Sequence, residues 1–218
     1  MTTAPERTYF PAAGHDWFLP FYDPLLKLLG ATAAQRELLE QAVLQPGQRV
    51  LDIGCGTGSL AILIKPFHPE VEVLGLDPDP NALARGRRKA ERAGFTVQFD
   101  RGFSDELPYP DASFDRVFSS FMFHHLRSNE KKKTLHEVRR VLRPGSSVHL
   151  LDFGGPNSRR DGFLARTLHP TSGLKENFEG RIVTLMREAG FADPKEVSHR
   201  AMIFGRVAYY RASVPTKL

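Results

Sequence analysis

The chain has 218 residues, a formal net charge of +5, 41% hydrophobic residues and one cysteine. That length supports one well-buried domain, and a lone cysteine excludes both a disulfide framework and a thiolate metal site while fitting a reducing compartment. No apolar run approaches the ~20 residues of a membrane span, and residues 1–7 carry no signal-peptide core, so a cytoplasmic location is expected.

Residues 9–29 are rich in aromatics, with Tyr9, Phe10, Trp17, Phe18, Phe21 and Tyr22 set among His15, Asp16 and Asp23. An isolated apolar segment of this kind must dock on something, as a structural flap or as a lid over a site. Thr32 followed by Gln35 has capping-box spacing and opens a helix expected through Leu44, which Pro46-Gly47 ends. Strands are expected over 48–53, 71–77, 95–100, 114–120 and 146–152. Helices are expected over 59–65, from the Asp79-Pro80 start to Gly94, over 128–142 and over 181–189. Strands alternating with helices at this spacing make βαβ units, hence a parallel sheet covered on both faces. Residues 153–178 show little periodicity and suggest an irregular cap. Residues 196–212 alternate β-prone residues around Gly205, which suggests a hairpin.

The basic runs, Arg85, Arg87, Arg88 and Lys89 together with Lys131–Lys133, fall on expected helices, where a solvated face accounts for them. The overall charge allows an anionic lipid surface or a nucleic acid as partner without requiring either.

The informative stretch is Val50-Leu51-Asp52-Ile53-Gly54-Cys55-Gly56-Thr57-Gly58, a strand running into three glycines and then a helix. Such a turn offers backbone N–H groups to a polar ligand. The third glycine sits one residue early for the nicotinamide fingerprint, and no lysine follows it as a phosphate loop requires. Asp52, just before the glycines, would repel a pyrophosphate; it suits a ligand bearing an ammonium group, or it braces the loop through backbone N–H groups. Asp77 ends the second strand about twenty residues on, where a carboxylate either accepts both hydroxyls of a ribose or caps the next helix.

These motifs do not stand alone. Gly75-Leu76-Asp77, Leu107-Pro108-Tyr109-Pro110-Asp111, Ser113-Phe114-Asp115, His124-His125-Leu126 and Val141-Leu142-Arg143-Pro144-Gly145 follow the glycine loop in order. Together they resemble the class I S-adenosylmethionine-dependent methyltransferases, and within them the small-molecule branch that includes the ubiquinone and menaquinone biosynthesis enzymes. The resemblance is strong over 46–155 and only in outline elsewhere. It implies an α/β, Rossmann-like, doubly wound, mostly parallel seven-stranded sheet with a C-terminal antiparallel hairpin strand. It divides a single domain into an N-terminal lid or flap (1–30), a cofactor-binding core (46–155), a variable substrate cap (154–178) and a C-terminal helix and hairpin (179–218).

The same resemblance implies that S-adenosylmethionine is the cofactor and S-adenosylhomocysteine the product. Gly54, Cys55, Gly56 and Gly58 would meet the methionine part, with Asp52 near its amino group. Asp77 would hold the ribose and Pro78 would border the adenine. Phe103 and Ser104 occupy the adenine-edge positions; Ser104 can serve through its backbone N–H, but phenylalanine cannot accept from the exocyclic amine, so either Asp105 or Asp100 would substitute or adenine recognition would be looser. Ser119, Ser120 and Phe121 would run past the sulfonium toward the acceptor.

Methyl transfer needs alignment and desolvation more than a nucleophile, so Cys55 reads as a loop residue. If the acceptor must lose a proton, His124 and His125 are the candidate bases, with His15 and Tyr22 as lid residues. Two adjacent histidines that face apart, with no acidic or cysteine partner at ligand spacing, do not read as a metal site. His169 and the arginines from Arg159 to Arg166 fall in the cap, where this family builds specificity. The expected reaction is transfer of a methyl group to a small-molecule acceptor by in-line displacement. The alternatives are a nucleic-acid methyltransferase, against which the Ser119-Ser120-Phe121-Met122 strand end argues, and a non-catalytic protein on the same fold.

Overall fold

The computed structural model describes residues 29–154, 180–202 and 205–216. The described residues form a seven-stranded sheet of order β3-β2-β1-β4-β5-β7-β6. The strands are β1 (Arg49–Ile53), β2 (Glu72–Asp77), β3 (Gln98–Arg101), β4 (Phe114–Ser120), β5 (Leu142–Phe153), β6 (Ala192–Met202) and β7 (Gly205–Ser213). The helices are α1 (Ala31–Ala42), α2 (Ser59–Ile64), α3 (Pro80–Arg92), α4 (Ser128–Val141) and α5 (Arg181–Glu188), with a 3-10 turn at Phe123–His125. Strands β1 to β5 are parallel, while β7 runs antiparallel between β5 and β6. The expected fold class and hairpin are therefore those observed.

Successive residues of the central strands go to opposite faces, as the two-residue strand period requires. Val50, Val73, Phe118, Leu151 and Tyr209 pack beneath α1 and α2 with Leu38, Leu39, Leu60 and Ile64. Their neighbours Leu51, Leu74, Val117, Leu150 and Tyr210 pack on the other face with Leu135 and Val138 of α4 and Ile182 and Leu185 of α5. Each fully buried side chain of this size contributes about 1.5–3 kcal/mol of transfer free energy. This two-sided burial is why the strands read as continuous apolar runs.

Strand order locates the site. From β1 the chain steps outward to β2 and β3, then returns to the other side of β1 as β4. The reversal between β1 and β4 opens a crevice at their carboxyl ends, where parallel sheets take their ligands.

Local differences from expectation have physical causes. The Thr32–Gln35 capping box does not form: α1 begins at Ala31 after a left-handed Gly30, with no side-chain cap, and ends at Ala42 before a left-handed Val43. Gln35 Nε2 instead donates to Ser120 Oγ at 3.1 Å. Strand β5 starts four residues early because Leu142 pairs with Phe114 and the ladder resumes, after a bulge, at Ser147. Asp79 caps α3 as expected, accepting from the N–H groups of Asn81 and Ala82, with Pro80 in the first turn.

Candidate active site

The site is built on the carboxyl ends of β1, β2, β4 and β5. After β1 the chain turns through Gly54, Gly56 and Gly58, all with positive φ. Two of these glycines are also needed for space. A Cβ on Gly54 would lie 2.2 Å from Met122 Cγ, and one on Gly58 would lie 2.6 Å from the Phe99 ring. Met122 thus lies directly on the loop, and Phe99 clamps it toward α3, where Gly86 again leaves the Phe99 ring its room.

Hydrogen bonds hold the loop to β2. Cys55 N–H donates to Leu76 O at 3.0 Å and Gly58 N–H to Cys55 O at 2.8 Å. Asp77 accepts from Gly56 N–H at 2.8 Å through Oδ2 and from Asp79 N–H at 2.9 Å through Oδ1. The carboxylate therefore ties the loop to the start of α3, a role the sequence offered only as a cap. Burial raises the Asp77 carboxyl to about 6, opposed by these two hydrogen bonds.

Asp52 sits behind the loop, fully buried, and neither carboxyl oxygen has a hydrogen-bond partner. Burial first, and repulsion from Asp77 second, raise it to about 8; the Ala61 N–H eases the charge slightly without meeting hydrogen-bond geometry. Neither Asp52 oxygen accepts a hydrogen bond from the glycine loop. A buried carboxyl without a partner costs free energy that a cationic partner would recover. Cys55 is buried, and burial and the charges of Asp52 and Asp77 push its thiol well above the ordinary range. A thiol so held is inert, in line with its reading as a loop residue.

Pro78 follows Asp77, and its carbonyl accepts from Arg101 Nε at 3.1 Å. Gly102 N–H donates to Asp77 O at 3.2 Å, which brings the 102–106 turn beside the end of β2. Within that turn Phe103 forms a β-bridge with Glu106, and Ser104 Oγ lies 3.0 Å from Thr134 Oγ1 of α4. The Asp100 carboxylate, one suggested substitute at the adenine edge, instead takes Tyr109 Oη at 2.9 Å and Gln98 Nε2.

At the end of β4, Ser119 Oγ is buried without a partner, while Ser120 Oγ is held by Gln35. Phe121 adopts φ 55, a conformation that costs a non-glycine residue about 1–3 kcal/mol. Its N–H to Leu151 O, at 2.8 Å, locks the turn that sends the chain over Gly54. His124 and His125 do not face apart: the 3-10 turn brings their ring centroids within 3.9 Å. His124 is buried and His125 exposed.

Asp152, at the end of β5, completes the group. Its Oδ1 lies 2.8 Å from His124 Nδ1, and its Oδ2 accepts the His124 N–H at 3.1 Å. Burial drives the Asp152 carboxyl up, but the His124 charge and hydrogen bonds from His124 and Phe153 prevail and hold it below the ordinary range. The sequence reading missed Asp152, although an acid closing a parallel strand is the signal that singled out Asp77. Gln35 and Met122 were missed for want of any local signal. His15, Tyr22, His169 and Arg159–Arg166 lie outside the described residues, as do most of 1–30 and 154–178. Among the described residues, no three or more His, Cys, Asp or Glu side chains group as a metal site.

Residues 50–145 match the family described as methyltransferase domain. The demethylmenaquinone methyltransferase of Thermus thermophilus is 38% identical over 150 residues, 67% of each chain. That of Deinococcus radiodurans is 32% identical over 210 residues, 85% of each chain. Among solved structures, a putative methyltransferase from Bacillus halodurans superposes with a TM-score of 0.68 at 20% identity, covering 84% of this chain and 99% of its own. Phosphoethanolamine N-methyltransferase 2 of Haemonchus contortus, in complex with S-adenosyl-L-methionine, gives 0.74 at 18% identity, covering 93% of this chain and 58% of its own. The chain, with its motifs in order on this sheet and these relatives, belongs to the class I S-adenosylmethionine-dependent methyltransferases.

Proposed function

We propose that this enzyme methylates a hydroxyl-bearing aromatic ring of the quinol type, and that its cofactor lies across the β1–β4 crevice. The observation that carries the cofactor placement is the buried, unpartnered Asp52 carboxyl behind a loop of positive-φ glycines. The residues present fit S-adenosylmethionine. Asp52 would meet the amino group of its methionine part, and the backbone of Gly54, Cys55, Gly56 and Gly58 would line that part closely. Asp77 would accept the ribose hydroxyls on the lone pairs its two backbone donors leave. Pro78, Phe103 and Ser104 would border the adenine, with recognition there resting on shape and backbone N–H groups.

When bound, the cofactor supplies a methyl group already activated by its positive sulfur, and S-adenosylhomocysteine is the product. The chain's own work is to orient and to dry the site. Ser119, Ser120 and Phe121 carry the wall from the cofactor toward the acceptor. From the sequence, residues 1–30 are assigned as the lid and 154–178 as the cap that selects the acceptor. The described residues next to both segments support this: α1 reaches Ser120 through Gln35, and β5 carries Asp152, beside His124, one residue before its end at Phe153.

The acceptor class rests on the names of the relatives and on chemistry. An electrophilic methyl group requires an electron-rich partner, so the reduced ring rather than the quinone would react. The single-cysteine composition supports a cytoplasmic setting, where a reduced ring persists. Incubation with S-adenosylmethionine and dithionite-reduced demethylmenaquinone should give a product heavier by one methylene. Turnover of an amine or a nucleic acid in place of the quinol would contradict the acceptor class.

A further inference from the structure

We infer that Asp152 is a positioning residue that turns His124 into the proton acceptor of the reaction, leaving Nε2 as its basic atom. This rests on the methyl-transfer reading above and sharpens it: the acceptor sheds a hydroxyl proton as it is methylated. The sequence left two adjacent histidines as equal candidates, and the geometry separates them.

Asp152 accepts on both oxygens. Oδ1 takes the His124 ring at 2.8 Å and the Phe153 N–H at 2.7 Å, and Oδ2 takes the His124 N–H at 3.1 Å. A carboxylate held by backbone donors on both oxygens is an acceptor only, so His124 Nδ1 must carry the hydrogen between them. In the neutral ring that leaves the lone pair on Nε2. The ring is fixed in orientation by the edge-on Phe153 ring at 4.8 Å and by His125 at 3.9 Å. Two residues earlier in the chain Met122 rests on Gly54, so the turn that carries His124 is anchored on the glycine loop. A base oriented by a buried carboxylate is the arrangement that proton transfer from a bound hydroxyl needs.

In the step itself, His124 Nε2 takes the hydroxyl proton. The electron pair so released, on oxygen or on the conjugated ring carbon, forms the bond to the methyl carbon, and the carbon–sulfur electrons leave on sulfur. The charge balances as a neutral thioether, a methylated acceptor and an imidazolium that Asp152 stabilises. Two titratable groups neighbour the pair: His125 stacks on the His124 ring from the same turn, and Tyr210 of β7 feels the charge of Asp152 together with those of Glu196 and Arg206. Lys131 of α4 lies over the ring of Phe123, the residue before His124.

The test uses the full chain with S-adenosylmethionine and dithionite-reduced demethylmenaquinone. His124→Gln should lower kcat about 10²–10⁴-fold, with the dissociation constant for S-adenosylhomocysteine changed by less than about twofold. Asp152→Asn should lower kcat more than it raises KM and displace the acidic limb of the pH–rate profile. In the wild-type complex with S-adenosylhomocysteine, long-range ¹H–¹⁵N spectra should show His124 as the Nδ1–H tautomer. An Nε2–H tautomer, or His124→Gln with wild-type kcat and pH profile, overturns the proposal; a pair that only braces the turn would leave both kinetic readouts unmoved. If the wild type leaves the quinol untouched, the acceptor reading fails. An Nε2–H tautomer would still overturn the His124 assignment in that case, and this measurement also holds if a variant does not fold.

Discussion

Asp52→Asn probes the part of the site on which the cofactor assignment rests. In the free protein the Asp52 carboxyl, raised to about 8 by burial and by Asp77, is mostly protonated at pH 7. A group with that midpoint is about nine-tenths protonated one unit below it. Pairing with an ammonium requires the ionised form, so binding of S-adenosylmethionine at pH 7 should release close to that fraction of a proton. Asp77, raised to about 6, should add only about a tenth of a proton. Calorimetric titration in two buffers of different ionisation enthalpy reads the number directly. The asparagine variant should release almost none, and its affinity should fall by about 1.5–3 kcal/mol, the worth of hydrogen bonds to a charged group. Stability gives an independent check on the sign. The folded-state value lies above the unfolded one, so the folded protein holds the extra proton between about pH 4 and pH 8. The stability of the ligand-free protein should therefore decline across that window as pH rises, and Asp52→Asn should flatten the decline. Binding without proton release, and with equal affinity in the variant, would refute the placement of the ammonium group at Asp52.

Asp77→Ala should do two things, since the carboxylate ties Gly56 to Asp79 in the free protein. Cofactor affinity should drop by about 1.5–3 kcal/mol and the melting temperature should fall as well; loss of affinity alone would mean the loop is not held this way. Gly58→Ala forces a Cβ to within 2.6 Å of the Phe99 ring at φ 71, so we expect a loss of about 1–3 kcal/mol in denaturant unfolding. An undestabilised variant would contradict the clamp. Val43 is exposed and β-branched at φ 48, at the end of α1 where glycine is preferred. Val43→Gly should raise the melting temperature by about 2–4 °C, the shift that 1 kcal/mol gives a protein of this size; a lowered value would show that the valine is not strained there.

How much of this was legible in the sequence depended on whether the signal was local. Strand β4 was expected at 114–120 and lies at Phe114–Ser120, because its apolar run is bounded by Asp111–Ser113 on one side and a histidine turn on the other. The start of α3 was equally plain, since Asp79 and Pro80 act on their own neighbours. Strand β3 was expected from Phe95 but begins at Gln98, as its limits are set by where β2 offers partners rather than by its own residues. Thr32 and Gln35 had the right spacing for a cap, yet the glutamine is drawn to Ser120 across the fold. The glycine loop and Asp77 were found through their pattern. That Asp77 also anchors the loop was not, because its partners are backbone groups. The His124–Asp152 pair joins two strand ends that come together only when β4 and β5 pair in register. The motif Leu107–Asp111 gained a physical reason only in three dimensions. Arg140 donates to the carbonyls of Leu107 and Tyr109 and to the carboxylates of Asp111 and Glu137, fixing the turn that precedes β4.

A crystal structure of the full chain with S-adenosylhomocysteine tests the cofactor placement most directly. The ligand is expected in the β1–β4 crevice, with its amino group hydrogen-bonded to Asp52, its ribose hydroxyls on Asp77 and its sulfur facing the turn that carries His124. A ligand bound elsewhere, or bound in the crevice with Asp52 still unpartnered, would contradict that placement.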